Sequence, residues 1–264
     1  MPDTATDAPL TTGPWGLSEA LFAWITATVL SGLIAALVIQ GGGFTASAPQ
    51  RPGGHIGRTV GQLVTDQELV DRSLPVAWQL LLLFPSWILL LGVAWIFAGI
   101  LSRDRPGWTI GRVWSDIPKG IGAGIVLQFP LVIIVVLVIQ AIFGEVQPTG
   151  RALTLVDGAA SSPLALILLI VTVAIGAPLV EEFFYRGLVQ PALIRLTNVP
   201  IGITISSLIF GAVHFSLVEL LPLSVVGAVF GILAHKTGRL LAPIVAHMTF
   251  NAVTLIALLG AVFA

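Results

Sequence analysis

Residues 163–180 read PLALILLIVTVAIGAPLV, eighteen positions without a charge, and the run ends on the adjacent carboxylates of Glu181 and Glu182. A stretch of that length is sufficient to cross the hydrocarbon core of a bilayer as a helix. Comparable apolar segments recur at about 20–40, 75–101, 117–143, 163–185, 199–217, 220–235 and 240–263. Lipid cannot satisfy free backbone N–H and C=O groups, and the segments lack the alternation of barrel strands. The expected fold is therefore all-α, a polytopic transmembrane helical bundle with about seven spanning helices. Composition agrees: 9% of the residues are charged, where soluble domains carry about 25%.

Net charge is −1 with no basic patch, which gives no footprint for nucleic acid. Membrane lipid is the expected surrounding partner. The chain has no cysteine, which excludes disulfides, thiolate metal sites and a cysteine nucleophile. The first twenty residues hold no lysine or arginine. They lack the basic start of a cleaved signal peptide, so the first apolar segment is expected to be a retained helix. Organisation divides at about residue 150: N-terminal transmembrane helices over 1–150, interrupted by a polar linker at about 41–74, and a C-terminal core over 151–264. Tryptophans (Trp15, Trp24, Trp78, Trp95, Trp108, Trp114) gather near segment ends, as in an interfacial belt. With the N-terminus cytoplasmic, the inside loops would hold Arg103, Arg105, Arg112, Lys119, Arg186, Arg195, Lys236 and Arg239, against Arg51, Arg58, Arg72 and Arg151 outside. That eight-to-four excess favours a multi-pass protein of the cell membrane with its N-terminus in the cytoplasm. His235, Lys236 and Arg239 read most simply as a cytoplasmic anchor, and Glu219 as a loop residue.

A charged side chain at the centre of a membrane helix costs about 2.5–3.5 kcal/mol on insertion scales and usually faces a cavity. Of the thirteen acids, Glu181 and Glu182 alone sit within what reads as a continuous spanning helix. His214 and His247 also fall in apolar segments. Glu182 and Arg186 are four residues apart, close enough for a helix-face ion pair. Phe210 and His214 have the same spacing, as do His247 and Asn251, so each pair shares a face. Glu181 is turned about 100° from Glu182, so one carboxylate can face the bundle squarely while the other lies to its side. Counting back from a turn at 197–200, Glu182 and His214 each lie about 20 Å along antiparallel neighbours, and His247 about 10 Å along its own helix.

Glu181-Glu182-x-x-x-Arg186, Phe210-x-x-x-His214 and His247-x-x-x-Asn251, in that order, resemble the three motifs of the CPBP family. These are the CAAX-protease and bacteriocin-processing (ABI) intramembrane endopeptidases, which include the type II CAAX prenyl endopeptidases. The resemblance covers about residues 163–255. It implies an endopeptidase acting on a membrane-associated peptide or protein, lipidated or not, by CAAX-type or bacteriocin-type processing. It further implies catalytic roles for Glu181, Glu182, His214, His247 and Asn251, with Arg186 and Phe210 in support.

Hydrolysis of a peptide needs an activated water, a base and an oxyanion donor. Glu181 is the expected base, with His214 as its partner. Glu182 shares that role or pairs with Arg186, and His247 and Asn251 are expected to donate to the developing oxyanion. Glu182, His214 and His247 also match a zinc-type ligand set, so the mechanism is either metal-assisted by a divalent ion such as zinc or metal-free and glutamate-dependent. There is no His-Glu-x-x-His and no Gly-x-Ser-x-Gly elbow, and no aspartate is expected within a span. The alternative class is a non-catalytic transporter, scaffold or immunity-type protein that uses the same polar cluster for proton or ligand binding.

Overall fold

A computed structural model describes residues 16–41, 75–96, 112–144, 150–160 and 162–263. The polar linker at 42–74 and residues Arg103, Arg105 and Trp108 lie outside these. The described chain is helical throughout. Helix α1 is Leu17–Gly41. Helix α2 comprises Val76–Leu81 and Leu83–Ile96. Helix α3 runs through Val113–Val126, Leu127–Leu131 and Val132–Phe143. Helix α4 is the short Gly150–Ala160, and α5 is the long rod Pro163–Leu196. Helices α6 (Val199–Ala212), α7 (Leu217–Thr237) and α8 (Leu241–Phe263) complete the core.

Five helices among the described residues are long and apolar enough to span a membrane, while Val76–Gly92 and Val199–Ala212 are apolar but shorter. The expected polytopic bundle is what the chain forms, with three local differences. The fourth segment runs on to Leu196, giving 34 residues and about 51 Å at 1.5 Å per residue. The fifth stops at Ala212 after 14 residues, so His214 lies in the turn beyond the helix. The third difference is α4, which a short and partly polar sequence (GRALTLVDGAA) did not announce.

Each boundary in the core has a chemical cause. Ser162 caps α5 by accepting the N–H of Ala165, with Pro163 in the first turn. Asn198 caps α6 through the N–H of Ile201, and Ser216 caps α7 through that of Glu219. Glu219 is thus a first-turn helical residue rather than a loop residue. Helix α7 ends on Gly238 in the left-handed conformation (φ 63°), whose N–H returns to the carbonyl of Ala234.

Three wide π-helical turns interrupt the described helices, and each sits at a proline. Leu127–Leu131 contains Pro130; Ile170–Gly176 is followed by Pro178, and Tyr185–Val189 by Pro191. A proline ring clashes with the carbonyl four residues earlier and has no N–H to give, and widening the turn relieves the clash. Two of these turns lie on either side of Glu181 and Glu182 on α5, and the second contains Arg186.

Small residues bring the backbones together, the usual means of packing helices where lipid is as apolar as leucine. The α5–α6 hairpin closes on Gly202, where an added Cβ would stand 2.7 Å from the backbone nitrogen of Ile194. Ala20, Ala23 and Ala27 of α1 are buried, and the first two pack with Tyr185, Leu188 and Val189 of α5. Two hydrogen bonds fix α7 parallel to α5. Arg186 donates to the carbonyl of Gly227 and Gln190 to that of Gly231, at 2.8 and 3.0 Å, both 41 residues apart. The start of α3 meets the start of α8, and Arg195 at the end of α5 lies within electrostatic reach of Glu19 in the first turn of α1. Arg112, Lys119, Arg195, Lys236 and Arg239 therefore sit at the end of the bundle where α1 begins. Arg186 does not: it is buried at 1% exposure in mid-helix and must leave the inside-loop count.

Gly202→Ala forces α6 off α5, and such overpacking costs about 1–3 kcal/mol. At Gly92 an added Cβ meets nothing within 4 Å, so Gly92→Ala is expected to stay within about 0.5 kcal/mol. Thermal unfolding in detergent should order the two variants so; equal midpoints would contradict the close hairpin.

Candidate active site

The glutamate doublet stands between the two wide turns of α5, and the 100° rotation between neighbouring residues separates the two environments. Glu182 points inward and is fully buried at 0% exposure. Its Oε1 accepts from Arg186 Nη1 at 3.0 Å and lies 2.9 Å from Nδ1 of His247 on α8. Glu181 faces aside, with 28% of its side chain exposed, and its Oε2 lies 3.8 Å from Nε2 of the same imidazole. His247 is itself 4% exposed. One ring nitrogen thus meets each glutamate. With the Nδ1 proton donated to Glu182, Nε2 keeps its lone pair on the side of Glu181.

Arg186 anchors this arrangement. Besides Glu182 it holds the Gly227 carbonyl, and its guanidinium carbon lies 4.8 Å from the centre of the Phe210 ring. Planar stacking and a fork of donors suit arginine, rather than lysine, to a buried pair. Gly227 permits the contact, since a Cβ there would sit 3.0 Å from Phe210 and 3.3 Å from Arg186. The second glutamate oxygen, Oε2 of Glu182, and Nε of Arg186 are buried without a protein partner.

Phe210 gathers both imidazoles. His214 packs edge-on against it at 5.3 Å between centroids and His247 at 5.7 Å, while Phe230 of α7 stacks on His247 at 4.8 Å. His214 is partly buried, and its Nδ1 lies 2.8 Å from the carbonyl of Phe210, one of the orphan acceptors at the end of α6. This bond fixes the ring and leaves Nε2 for another group. The following residue, Phe215, is 88% exposed and takes a left-handed backbone conformation (φ 53°), which is uncommon for a side chain of that bulk.

Asn251 lies one turn beyond His247, yet its amide reaches a different target. It donates to the carbonyl of Val173 at 2.9 Å. The N–H of Ala177 already reaches back five residues to Thr172, so Val173 is next in the wide pattern. Its partner would be Pro178, which has no N–H. Asn251 supplies the missing donor.

Sequence reasoning missed two groups. Gln190, one turn beyond Arg186, is 1% exposed and extends the inward polar row of α5 against α7. Its spacing of four from Arg186 was the available signal. Asp116 is buried at 0% exposure inside the first turn of α3 and holds Arg239, which is therefore an ion-pair partner and not only a surface anchor. The candidate span Val113–Val135 thus contains an aspartate, contrary to expectation, although it pairs with arginine and not with a second aspartate. The partners lie 123 positions apart, with no local pattern to join them.

A divalent ion needs three or more converging donors. Among the described residues no three His, Asp or Glu side chains converge at metal-ligand spacing. Glu182 Oε1 is committed to Arg186 and His247, His247 Nδ1 to Glu182, and His214 Nδ1 to a backbone carbonyl. Glu182 Oε2 and the two Nε2 atoms remain, but they do not converge on a common point, and as arranged Glu182, His214 and His247 do not fit a metal centre.

The family described as "Type II CAAX prenyl endopeptidase Rce1-like" matches residues 163–253. That segment contains Glu181, Arg186, Phe210, His214, His247 and Asn251. The C-terminal helices α5 to α8 are similar to that family over this segment. A Bacillus subtilis (strain 168) protein named "Putative membrane peptidase YdiL" is 38% identical over 87 residues, which is 33% of this chain. The chain spans 36% of the length of that relative. No solved structure matches.

Removing one partner of a buried ion pair leaves the other charge uncompensated, at a cost of about 3–5 kcal/mol. Arg186→Met should lower stability by that amount. Asn251→Leu orphans a buried carbonyl and should cost about 1–3 kcal/mol. Unfolding of the full chain in detergent measures both; an Arg186→Met protein as stable as the parent would refute the anchoring role.

Proposed function

We propose that the chain is an intramembrane endopeptidase that hydrolyses a membrane-associated peptide with water activated by Glu181 and His247. The observation that carries this reading is the pairing of one imidazole with two unlike carboxylates. Buried Glu182 orients His247 through Nδ1, and partly exposed Glu181 faces Nε2 at 3.8 Å. That separation is too long for a direct hydrogen bond. It suits two acceptors that share one water from the side.

In this mechanism the substrate carbonyl carbon approaches that water. Glu181 takes one water proton, and the O–H oxygen bonds to the carbonyl carbon as its π electrons move to oxygen. His214 stabilises the resulting oxyanion from Nε2–H when its ring is protonated, its orientation set by the Phe210 carbonyl. The intermediate then collapses: the C–N bond breaks, and the proton held by Glu181 passes to the leaving amine. Arg186 pairs with Glu182 and holds it in place, and Phe210 and Phe230 fix the imidazole planes. Asn251, expected as an oxyanion donor, is assigned instead to holding the wide turn below the glutamates.

The Rce1-like match and the peptidase name of the relative support the reaction class. They favour a peptide or protein as substrate, with a prenylated C-terminal peptide the first to try. Lysine and arginine at the α1-start end of the bundle favour a cytoplasmic placement of that end, and the cell membrane as the location.

General acid–base groups contribute typically about 10²–10⁴-fold. The full chain in detergent should cleave internally quenched peptides, tried with and without a prenylated cysteine near the C-terminus. Glu181→Gln and His247→Ala should each lose about 10²–10⁴-fold in kcat while keeping the parent's helical content. Absence of cleavage by the parent across both sets, or equal turnover by Glu181→Gln, would remove the peptidase reading.

A further inference from the structure

Helix α3 lies wholly outside the Rce1-like segment 163–253, yet it contacts the helix that carries His247 along its first two turns. We infer that α3 is the positioning element for His247, with Asp116, Gly120 and Gly124 as its positioning residues. The functional consequence rests on the peptidase reading; the geometry does not.

Two independent observations fix α8 against α3. The first is axial. Both carboxylate oxygens of Asp116 meet the Arg239 guanidinium, Oδ2 accepting from Nε at 2.8 Å and Oδ1 from Nη2 at 2.9 Å. The same carboxylate accepts the Arg112 backbone N–H at 2.8 Å and the Ser115 hydroxyl at 3.0 Å. Four donors converge on a side chain with 0% exposure. Arg239 stands two residues before α8 begins, so a bidentate clamp sets where that helix starts.

The second is radial. A Cβ on Gly120 would lie 2.7 Å from the Ala242 carbonyl and 2.6 Å from the Val245 Cβ. One on Gly124 would lie 2.6 Å from the Ala246 carbonyl and from the Thr249 Cβ. These are backbone and β-carbon positions, which cannot rotate away. Gly122, between them on the other face, meets nothing within 4 Å. Ala246, the residue touched by Gly124, immediately precedes His247. Leu127 of α3 packs in one cluster with Ala246 and Phe230, the ring that stacks on His247.

The site depends on small distances that this contact controls. His247 must keep 2.9 Å to Glu182 while holding 3.8 Å to Glu181. A methyl group at Gly124 displaces α8 at the turn that bears the imidazole. Misplacement of a reacting group by about 1 Å can cost about 10²-fold in rate. Loss of the Asp116 charge frees the start of α8 to slide and rotate, with the same imidazole as the affected group.

The test uses the full chain in detergent with Gly124→Ala, Asp116→Asn and, as control, Gly122→Ala. Turnover is normalised to folded protein well below each unfolding midpoint, and the His247 imidazole is followed by NMR of histidine-labelled protein. Gly124→Ala and Asp116→Asn should each lower kcat by about ten- to a hundredfold with little change in KM, and shift the His247 resonance. Gly122→Ala should match the parent in both. Were Gly124→Ala not to fold, Asp116→Asn carries the same two readouts. Parental kcat per folded molecule together with an unmoved His247 resonance would overturn the inference. A parent protein that cleaves no peptide would count against the peptidase reading instead, and the resonance alone would then decide the role of α3.

Discussion

A charge buried among apolar helices must be matched, and the pair Glu182–Arg186 is the match around which this bundle is arranged. Both side chains are almost wholly removed from solvent. Once the carboxylate is held in mid-helix, the remaining hydrogen-bonding capacity of arginine has to be met by other elements. The Gly227 carbonyl meets part of it, which draws α7 against α5 and requires glycine at the contact. The same carboxylate accepts from His247, which sets the depth and rotation of α8. One desolvated pair therefore determines the register of three helices, and the imidazole arrives at the glutamates as a consequence of satisfying it.

Proline shapes the rod that carries the pair. A 34-residue α5 with Pro178 and Pro191 in its interior could kink at each. It widens into π turns instead, and at the first of them the Asn251 side chain fills the place of the absent Pro178 N–H, as membrane helices require of freed backbone groups. The polar residues of α8 thus serve two neighbouring purposes on α5, contact of the His247 imidazole with the glutamates and repair of the helix backbone. Spacing alone cannot separate them, because both need a polar side chain on the same face.

That ambiguity marks the limit of what was legible in the residues. Membrane character, helix class and the Glu182–Arg186 pair follow from uncharged length and from i, i+4 spacing, both local properties. His214 was placed within a helix because its surroundings are apolar; hydropathy carries no record of where α6 exhausts its hydrogen bonds. Arg186 was counted among loop cations because the charge tally weighs position along the chain and not depth. Arg239 reads as an anchor and Asp116 draws no notice, since their meaning lies in a pairing 123 positions apart that only packing can make.

Why the chain carries two adjacent glutamates also follows from the pairing. A single carboxylate cannot both neutralise a buried guanidinium and remain free to take a proton. The 100° offset of consecutive helical residues divides the tasks, giving the enclosed environment to Glu182 and the accessible one to Glu181. A proton taken from water onto Glu181 moves the negative charge from that carboxylate to the forming oxyanion and leaves the net charge of the pocket unchanged, and a donor at that oxygen is worth most where solvent cannot screen. The same division accounts for the exposure difference between them, 28% against 0%. In the proposed mechanism the doublet is one structural charge and one reactive charge placed side by side by the pitch of a helix.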